Sequence, residues 1–149
     1  MKKILIVEDN QKKLEKLKTF LYEEYVDIEI TERMSYNSAT REIVLNYNIY
    51  DLILLDMSMQ TYDVSDDESG GEPEPLAGKN ILKQIYLRNI PIKVIVVTMY
   101  ENFVDGTKIK ELNEELIQEF NENYCGYIFF SHINLEWSIK LKELINKII

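Results

Sequence analysis

The chain has 149 residues, 46% of them apolar, which is the size of one ordinary domain with enough apolar matter for a core. Its 17 basic and 26 acidic residues give a net charge of −9, which argues against a nucleic-acid surface, and no apolar run is long enough to span a membrane. A lone cysteine, Cys125, excludes an internal disulfide and suits a reducing cytoplasm, and one cysteine with one histidine cannot build a zinc site of the usual kind.

Strand and helix patterns alternate along the chain. Lys3 to Val7 is a short apolar run, the mark of a strand buried on both faces; it stops at Glu8, too soon for a signal peptide. Asn10 can cap a helix with Leu14, Leu17 and Leu21 at helical spacing and Lys12, Lys13, Glu15 and Lys16 elsewhere around it. Val26, Ile28 and Ile30 alternate with Asp27 and Glu29, predicting a half-exposed edge strand. A second helix is expected over Ser35 to Asn46, then a buried strand over Leu52 to Leu55.

Residues 58–78 break the rhythm. They carry Asp63, Asp66, Asp67, Glu68, Glu72 and Glu74 with two glycines and two prolines between Asp63 and Pro75, and no basic residue before Lys79. Such a stretch buries too little to order itself, so the expectation is a mobile acidic loop. Ile81, Leu82, Ile85 and Tyr86 then predict a third helix ending before Pro91. Val94 to Val97 reads as a buried strand closing on Thr98. Ile109, Leu112, Leu116 and Phe120 predict a fourth helix, and the length of chain after Thr98 suggests that it is an extended one. Gly126-Tyr127 is expected to open a last strand running to Phe130. Asn134 can cap a final helix with Trp137, Leu141, Leu144, Ile145 and Ile148 on one stripe.

Five β-α repeats signify an α/β three-layer sandwich, a five-stranded parallel sheet with five helices over its two faces, and strand order 2-1-3-4-5 is favoured. Ligands of such sheets bind beyond the carboxyl ends of the strands. Glu8 and Asp9 end the first strand, Asp56 the third and Thr98 the fourth. Each acid alone has a plain structural reading, a helix cap or a turn; together they make one crevice. Carboxylates gathered there repel one another unless a hard cation lies between them, and Mg²⁺ takes oxygen ligands of this kind.

The segments Ile4-Leu5-Ile6-Val7-Glu8-Asp9-Asn10, Asp51-Leu52-Ile53-Leu54-Leu55-Asp56-Met57, Gly78-Lys79-Asn80-Ile81-Leu82, Val94-Ile95-Val96-Val97-Thr98 and Gly126-Tyr127-Ile128 resemble the receiver domain of bacterial two-component response regulators, across essentially the whole of residues 1–149. The resemblance implies a flavodoxin-like fold and a stand-alone signalling module. Asp56 would accept a phosphoryl group; Asp9 and Asp56 would ligate Mg²⁺, with Glu8 acting through water and Ser58 through its carbonyl. Thr98 would contact the phosphoryl group, and Tyr127 would be the switch aromatic. Implied partners are a histidine kinase or phosphotransfer protein, a downstream protein and a homodimer mate, with no direct nucleic acid and no membrane. The implied setting is cytoplasmic, and no turnover enzyme is expected.

Two positions depart from the family. It places a lysine near the end of the fifth strand, where this chain has Phe130, and a small residue where this chain has Met99. Those departures keep open a phosphorylation-independent pseudo-receiver that binds proteins. His132, Lys79 and Lys93 are the cations considered as replacements in space. Leu135 and Ile139 fall off the last helix's main stripe and are candidates for a partner surface.

Overall fold

Three short runs, Ile4–Val7, Leu52–Leu55 and Val94–Val97, have no polar residue to turn toward water, and each lies in the middle of a sheet with both faces covered. The structure, a computed structural model, describes residues 1–64, 70, 71, 73–103 and 106–149. In chain order it places β1 at Lys2–Val7, α1 at Gln11–Glu24, β2 at Ile28–Arg33, α2 at Tyr36–Asn46 and β3 at Leu52–Leu55. There follow β4 at Met59–Gln60, β5 at Pro73–Glu74, α3 at Ala77–Leu87 and β6 at Val94–Thr98. The last elements are α4 at Ile109–Glu119, β7 at Tyr124–Phe129 and α5 at Glu136–Ile148. The main sheet runs β2-β1-β3-β6-β7, all parallel; with the small β4–β5 ribbon set aside, this is the expected 2-1-3-4-5 order.

The period of two along each strand divides the core cleanly. Leu5, Val7, Ile53, Leu55, Val94 and Val96 point to one face, where they meet Ala39 and Ile43 of α2, Ile81, Leu82 and Ile85 of α3, and Ile109, Leu112 and Leu116 of α4. Ile4, Ile6, Leu52, Leu54, Ile95 and Val97 point to the other, against Leu14, Leu17 and Leu21 of α1 and Trp137, Leu141 and Ile145 of α5. Each buried leucine of α1 contributes roughly 2 kcal/mol of apolar transfer, enough to hold the helix and its first turn firmly on the sheet. Helix α3 stops as its sequence asks: Asn89 takes a left-handed φ of 54°, the Ile90 N–H reaches back to the Ile85 carbonyl, and Pro91 follows.

Three expectations are corrected by the structure. β2 begins at Ile28, leaving Val26 exposed outside it. β7 begins at Tyr124, so Tyr127 lies within the strand rather than at its start. Tyr124 pairs with Val94 and Tyr127 with Val96, and the extra residue forms a bulge. Gly126 at φ 126° permits it, since side chains avoid that backbone conformation.

The fourth helix is not extended. α4 has 11 residues, as α2 and α3 do, and the extra length lies in the 99–108 connection. There Asn102 bridges Lys108, and the Ile109 N–H donates to the Glu101 carbonyl. The described ends of the 58–78 segment are hydrogen-bonded: β4 pairs antiparallel with β5, the Tyr62 N–H donates to the Gly70 carbonyl, and Ser58 Oγ donates to the Pro75 carbonyl at 2.7 Å. Of the acids assigned to the loop, Asp66, Asp67, Glu68 and Glu72 lie outside the described residues.

Candidate functional site

β1 and β3 are adjacent and in register, with Val7 level with Leu55, so the residues that follow them emerge side by side. The Asp56 N–H donates to the Val7 carbonyl at 3.0 Å and carries the register one residue past the strand. Glu8, Asp9 and Asp56 thereby converge. Each offers a carboxylate oxygen, and the three lie within 4.8 Å of one another. Glu8 is 2% exposed and Asp56 5%, while Asp9 is half-buried at the mouth.

The surrounding backbone fixes each acid. The Met57 N–H donates to Asp56 Oδ1 at 2.8 Å, the Asn10 N–H to Glu8 Oε2 at 3.1 Å, and the Gln60 N–H to Asp9 Oδ2 at 3.2 Å. Behind Asp56, Gly78 of α3 comes so close that a Cβ there would lie 2.6 Å from the Asp56 carbonyl oxygen and 3.0 Å from Met57 Cα. Only glycine admits that approach of helix to loop.

Lys13 is the residue that sequence reasoning missed. Grouped with the solvated lysines of α1, it is in fact 1% exposed and points into the site. Its Nζ lies 2.5 Å from Glu8 Oε1, 2.7 Å from the Val97 carbonyl and 3.3 Å from Asp56 Oδ1. The Glu8 contact is the shortest of the three, a charge-assisted hydrogen bond from the ammonium to Oε1. Asn10 sets this up: its Oδ1 caps α1 by accepting the Lys13 N–H at 2.9 Å, so the lysine leaves the first turn toward the sheet. A signal did exist, since Lys13 stands four residues before Leu17 and shares the buried face of the helix.

The expected replacements lie elsewhere. Lys79 pairs with Glu115 at 2.8 Å, Lys93 donates to the Glu122 carbonyl at 2.6 Å, and His132 is exposed, its ring edge-on to Phe130.

The electrostatics follow from burial. Desolvation, then the neighbouring Asp56 charge, pushes Glu8 up to about 8 in spite of Lys13. The same two causes raise Asp9. For Lys13, burial acts against the charge, but Asp56 and Glu8 outweigh it and the ammonium is held above its usual range.

The other sequence-predicted residues surround this core. Ser58, Met99 and Tyr100 join the acids and Lys13 in lining a cavity of about 280 Å³. Thr98 is fully buried at the end of β6 and its Oγ1 accepts the Tyr100 N–H at 3.1 Å. Tyr127 is half-buried two positions down the ladder from Phe129, Thr98's partner, with the Lys140 ammonium 4.5 Å from its ring centre. Phe130 is buried; its ring lies 5.9 Å from Lys13 Nζ and packs on Trp137 at 4.8 Å.

Three carboxylates of hard oxygen, each with an oxygen within 4.8 Å of the others', form a set that fits a divalent cation. Lys13 alters one expectation. A cation already lies between two of the acids, so their mutual repulsion is compensated in part by the chain itself.

No family model matches the chain. The Detocs response regulatory protein DtcB of Enterobacter cloacae is 31% identical over 150 residues, covering 98% of this chain and 97% of that protein. Among solved structures, the Mn²⁺-bound response regulator Rcp1 matches with a TM-score of 0.64 at 20% identity, covering 99% of this chain and 93% of its own. The CheX–CheY complex with BeF3 and Mg²⁺ from Borrelia burgdorferi matches at 0.68 and 16% identity, covering 99% and 90%. At those identities the two structures speak for the fold alone.

Proposed function

Since the chain belongs to the response-regulator receiver family, we propose that it takes a phosphoryl group on Asp56 with Mg²⁺ bound alongside and thereby alters a protein-binding surface. The observation that supports this most directly is the gathering of the Glu8, Asp9 and Asp56 oxygens within 4.8 Å in a cavity at the sheet's carboxyl edge. Asp9, Asp56 and the Ser58 carbonyl would hold the ion, with Glu8 acting through water. When bound, the ion neutralises charge on the carboxylates and on the phosphoryl oxygens.

The chain's own residues then have separable tasks. An Asp56 carboxylate oxygen forms the new bond to phosphorus while the donor's own bond to phosphorus breaks, and the leaving atom (an imidazole nitrogen of a phosphohistidine, or the bridging oxygen of acetyl phosphate) departs with the electron pair. The Met57 N–H keeps the Asp56 carboxylate from rotating. Thr98 accepts from Tyr100, so its own hydroxyl proton is available to a phosphoryl oxygen. Turning toward that oxygen breaks the Tyr100 contact, and the 99–101 backbone and the Tyr127 ring readjust. A local charge event thus becomes a change of surface. The donor would be a histidine kinase or phosphotransfer protein and the reader a downstream protein or a second copy, in the cytoplasm. No helix among the described residues is long and apolar enough to cross a membrane. Incubation with acetyl phosphate and Mg²⁺, read by intact mass, should add one phosphoryl group that Asp56→Asn abolishes; no adduct, or one that survives the substitution, refutes the assignment.

One observation favours a second reading. Lys13 already bridges Glu8 and Asp56, so the cup can persist without a metal, as a phosphorylation-independent binding module would need. On that reading Asp56→Asn leaves partner binding and cellular output unchanged, and a loss of output in that variant eliminates it.

A further inference from the structure

Phosphorylating an aspartate places a dianion in a pocket that already holds other acids, and the group needs a fixed positive charge within reach. Among the described residues, Lys13 is the only lysine or arginine lining the cavity around Asp56. From this geometry we propose that Lys13, from the first turn of α1, is the cation that pairs with the phosphoryl group, a role that rests on Asp56 being the acceptor.

The arrangement of its three N–H bonds is suited to this. Two are short, to Glu8 Oε1 and the Val97 carbonyl; the third reaches Asp56 Oδ1 at 3.3 Å, the longest of the set. When Asp56 becomes an acyl phosphate its carboxylate charge is gone, and that third N–H turns to a phosphoryl oxygen beside it. The ammonium keeps its proton throughout. The other two contacts hold the nitrogen in place, so little conformational entropy is lost on pairing.

A second consequence concerns the switch. Lys13 binds the carbonyl of Val97, the residue before Thr98, so the same ammonium touches both the acceptor and the end of β6. A pull on the lysine is felt where the 99–108 connection begins. Phe130 forms the wall behind it, its ring 5.9 Å from Nζ and backed by Trp137. Phe130→Lys can therefore bring an ammonium to the same place from the residue that follows β7.

The test uses the full chain and beryllofluoride with Mg²⁺ as the phosphoryl mimic, with affinity measured by calorimetry alongside acetyl-phosphate labelling by intact mass. Lys13→Met should weaken beryllofluoride binding at least tenfold while its far-UV dichroism matches the wild type. The double variant Lys13→Met/Phe130→Lys should recover most of that loss, which a merely structural lysine would not allow. Lys13→Met binding within twofold of the wild type overturns the role of Lys13 and leaves the acceptor assignment standing. A wild type that takes neither phosphoryl group nor mimic sinks the acceptor assignment, and this role with it. If Lys13→Met does not fold, the unmutated protein decides. The ¹⁵N resonance of the Lys13 ammonium shifts on adding the mimic if the two pair, and an unmoved resonance overturns the proposal.

Discussion

Gly78→Ala separates two opposing effects whose sizes the structure fixes. Gly78 is the second residue of α3, where alanine is intrinsically the better helix former by about 1 kcal/mol. Propensity alone therefore predicts stabilisation. The new methyl carbon, however, would lie 2.6 Å from the Asp56 carbonyl oxygen and 3.0 Å from Met57 Cα, both of them backbone that cannot rotate aside. Overpacking of this kind typically costs about 1–3 kcal/mol, at the upper end when backbone must move. The expected net loss is about 2 kcal/mol, or a fall in melting temperature of roughly 4–8 °C for a chain of this size. Urea unfolding followed by dichroism gives the first figure and a thermal scan the second. Because the displaced backbone carries the acceptor, stabilisation by millimolar Mg²⁺ should shrink as well. Gly106→Ala is the control: φ is 86° but nothing lies within 4 Å of the added carbon, so it loses only the backbone preference and leaves the Mg²⁺ response alone. A Gly78→Ala protein as stable as the wild type would refute the claim that this glycine is required by the approach of α3 to Asp56.

Three further outcomes are expected. Glu8 is held near 8 in the fold against 4.5 as a free side chain, so stability is fully present below about pH 4.5 and is lost toward pH 8, at about 1.4 kcal/mol per pH unit. Glu8→Gln removes that slope, and urea titrations in EDTA that run parallel for the two proteins between pH 5 and 8 would show Glu8 to be ionised throughout. Asn123 is buried and donates to the Ile90 and Ile92 carbonyls at 2.8 Å each. Asn123→Ala strands both acceptors and should cost about 2–3 kcal/mol, seen as a lower urea midpoint with unchanged slope. Thr98→Val keeps the shape of a buried residue but loses the Tyr100 bond, costing about 1 kcal/mol; phosphoryl uptake on Asp56 should persist while the shift in partner affinity disappears in a pull-down titration.

Much of the fold was legible because it rests on patterns that neighbours reinforce. The three apolar runs of β1, β3 and β6 allow only a doubly covered sheet, and the acids that end β1 and β3 must then share an edge. What escaped was set by contacts between distant residues. Nothing local to Lys13 says that a lysine will be dry; its burial is determined by Glu8, Asp56 and Val97 arriving from three separate strand ends. The β7 register was misread because Gly126 looks like a strand start until Tyr124 is seen paired with Val94. Composition alone gave residues 58–78 a single character, whereas the Ser58–Pro75 bond and the β4–β5 pairing depend on two ends that meet only in space. The 99–108 connection was assigned to helix for a similar reason: its bridge joins Asn102 and Lys108, and neither residue advertises it.

The chain's only tryptophan is Trp137, and its indole packs directly on Phe130, which in turn faces the Lys13 ammonium. A rearrangement of that ammonium alters the field around the one indole, whose emission is separated from that of the ten tyrosines by exciting at the red edge of the absorption band. The protein therefore carries its own optical gauge. Its intrinsic emission, recorded without label or tag, should change when the mimic binds at Asp56 if Lys13 turns toward it.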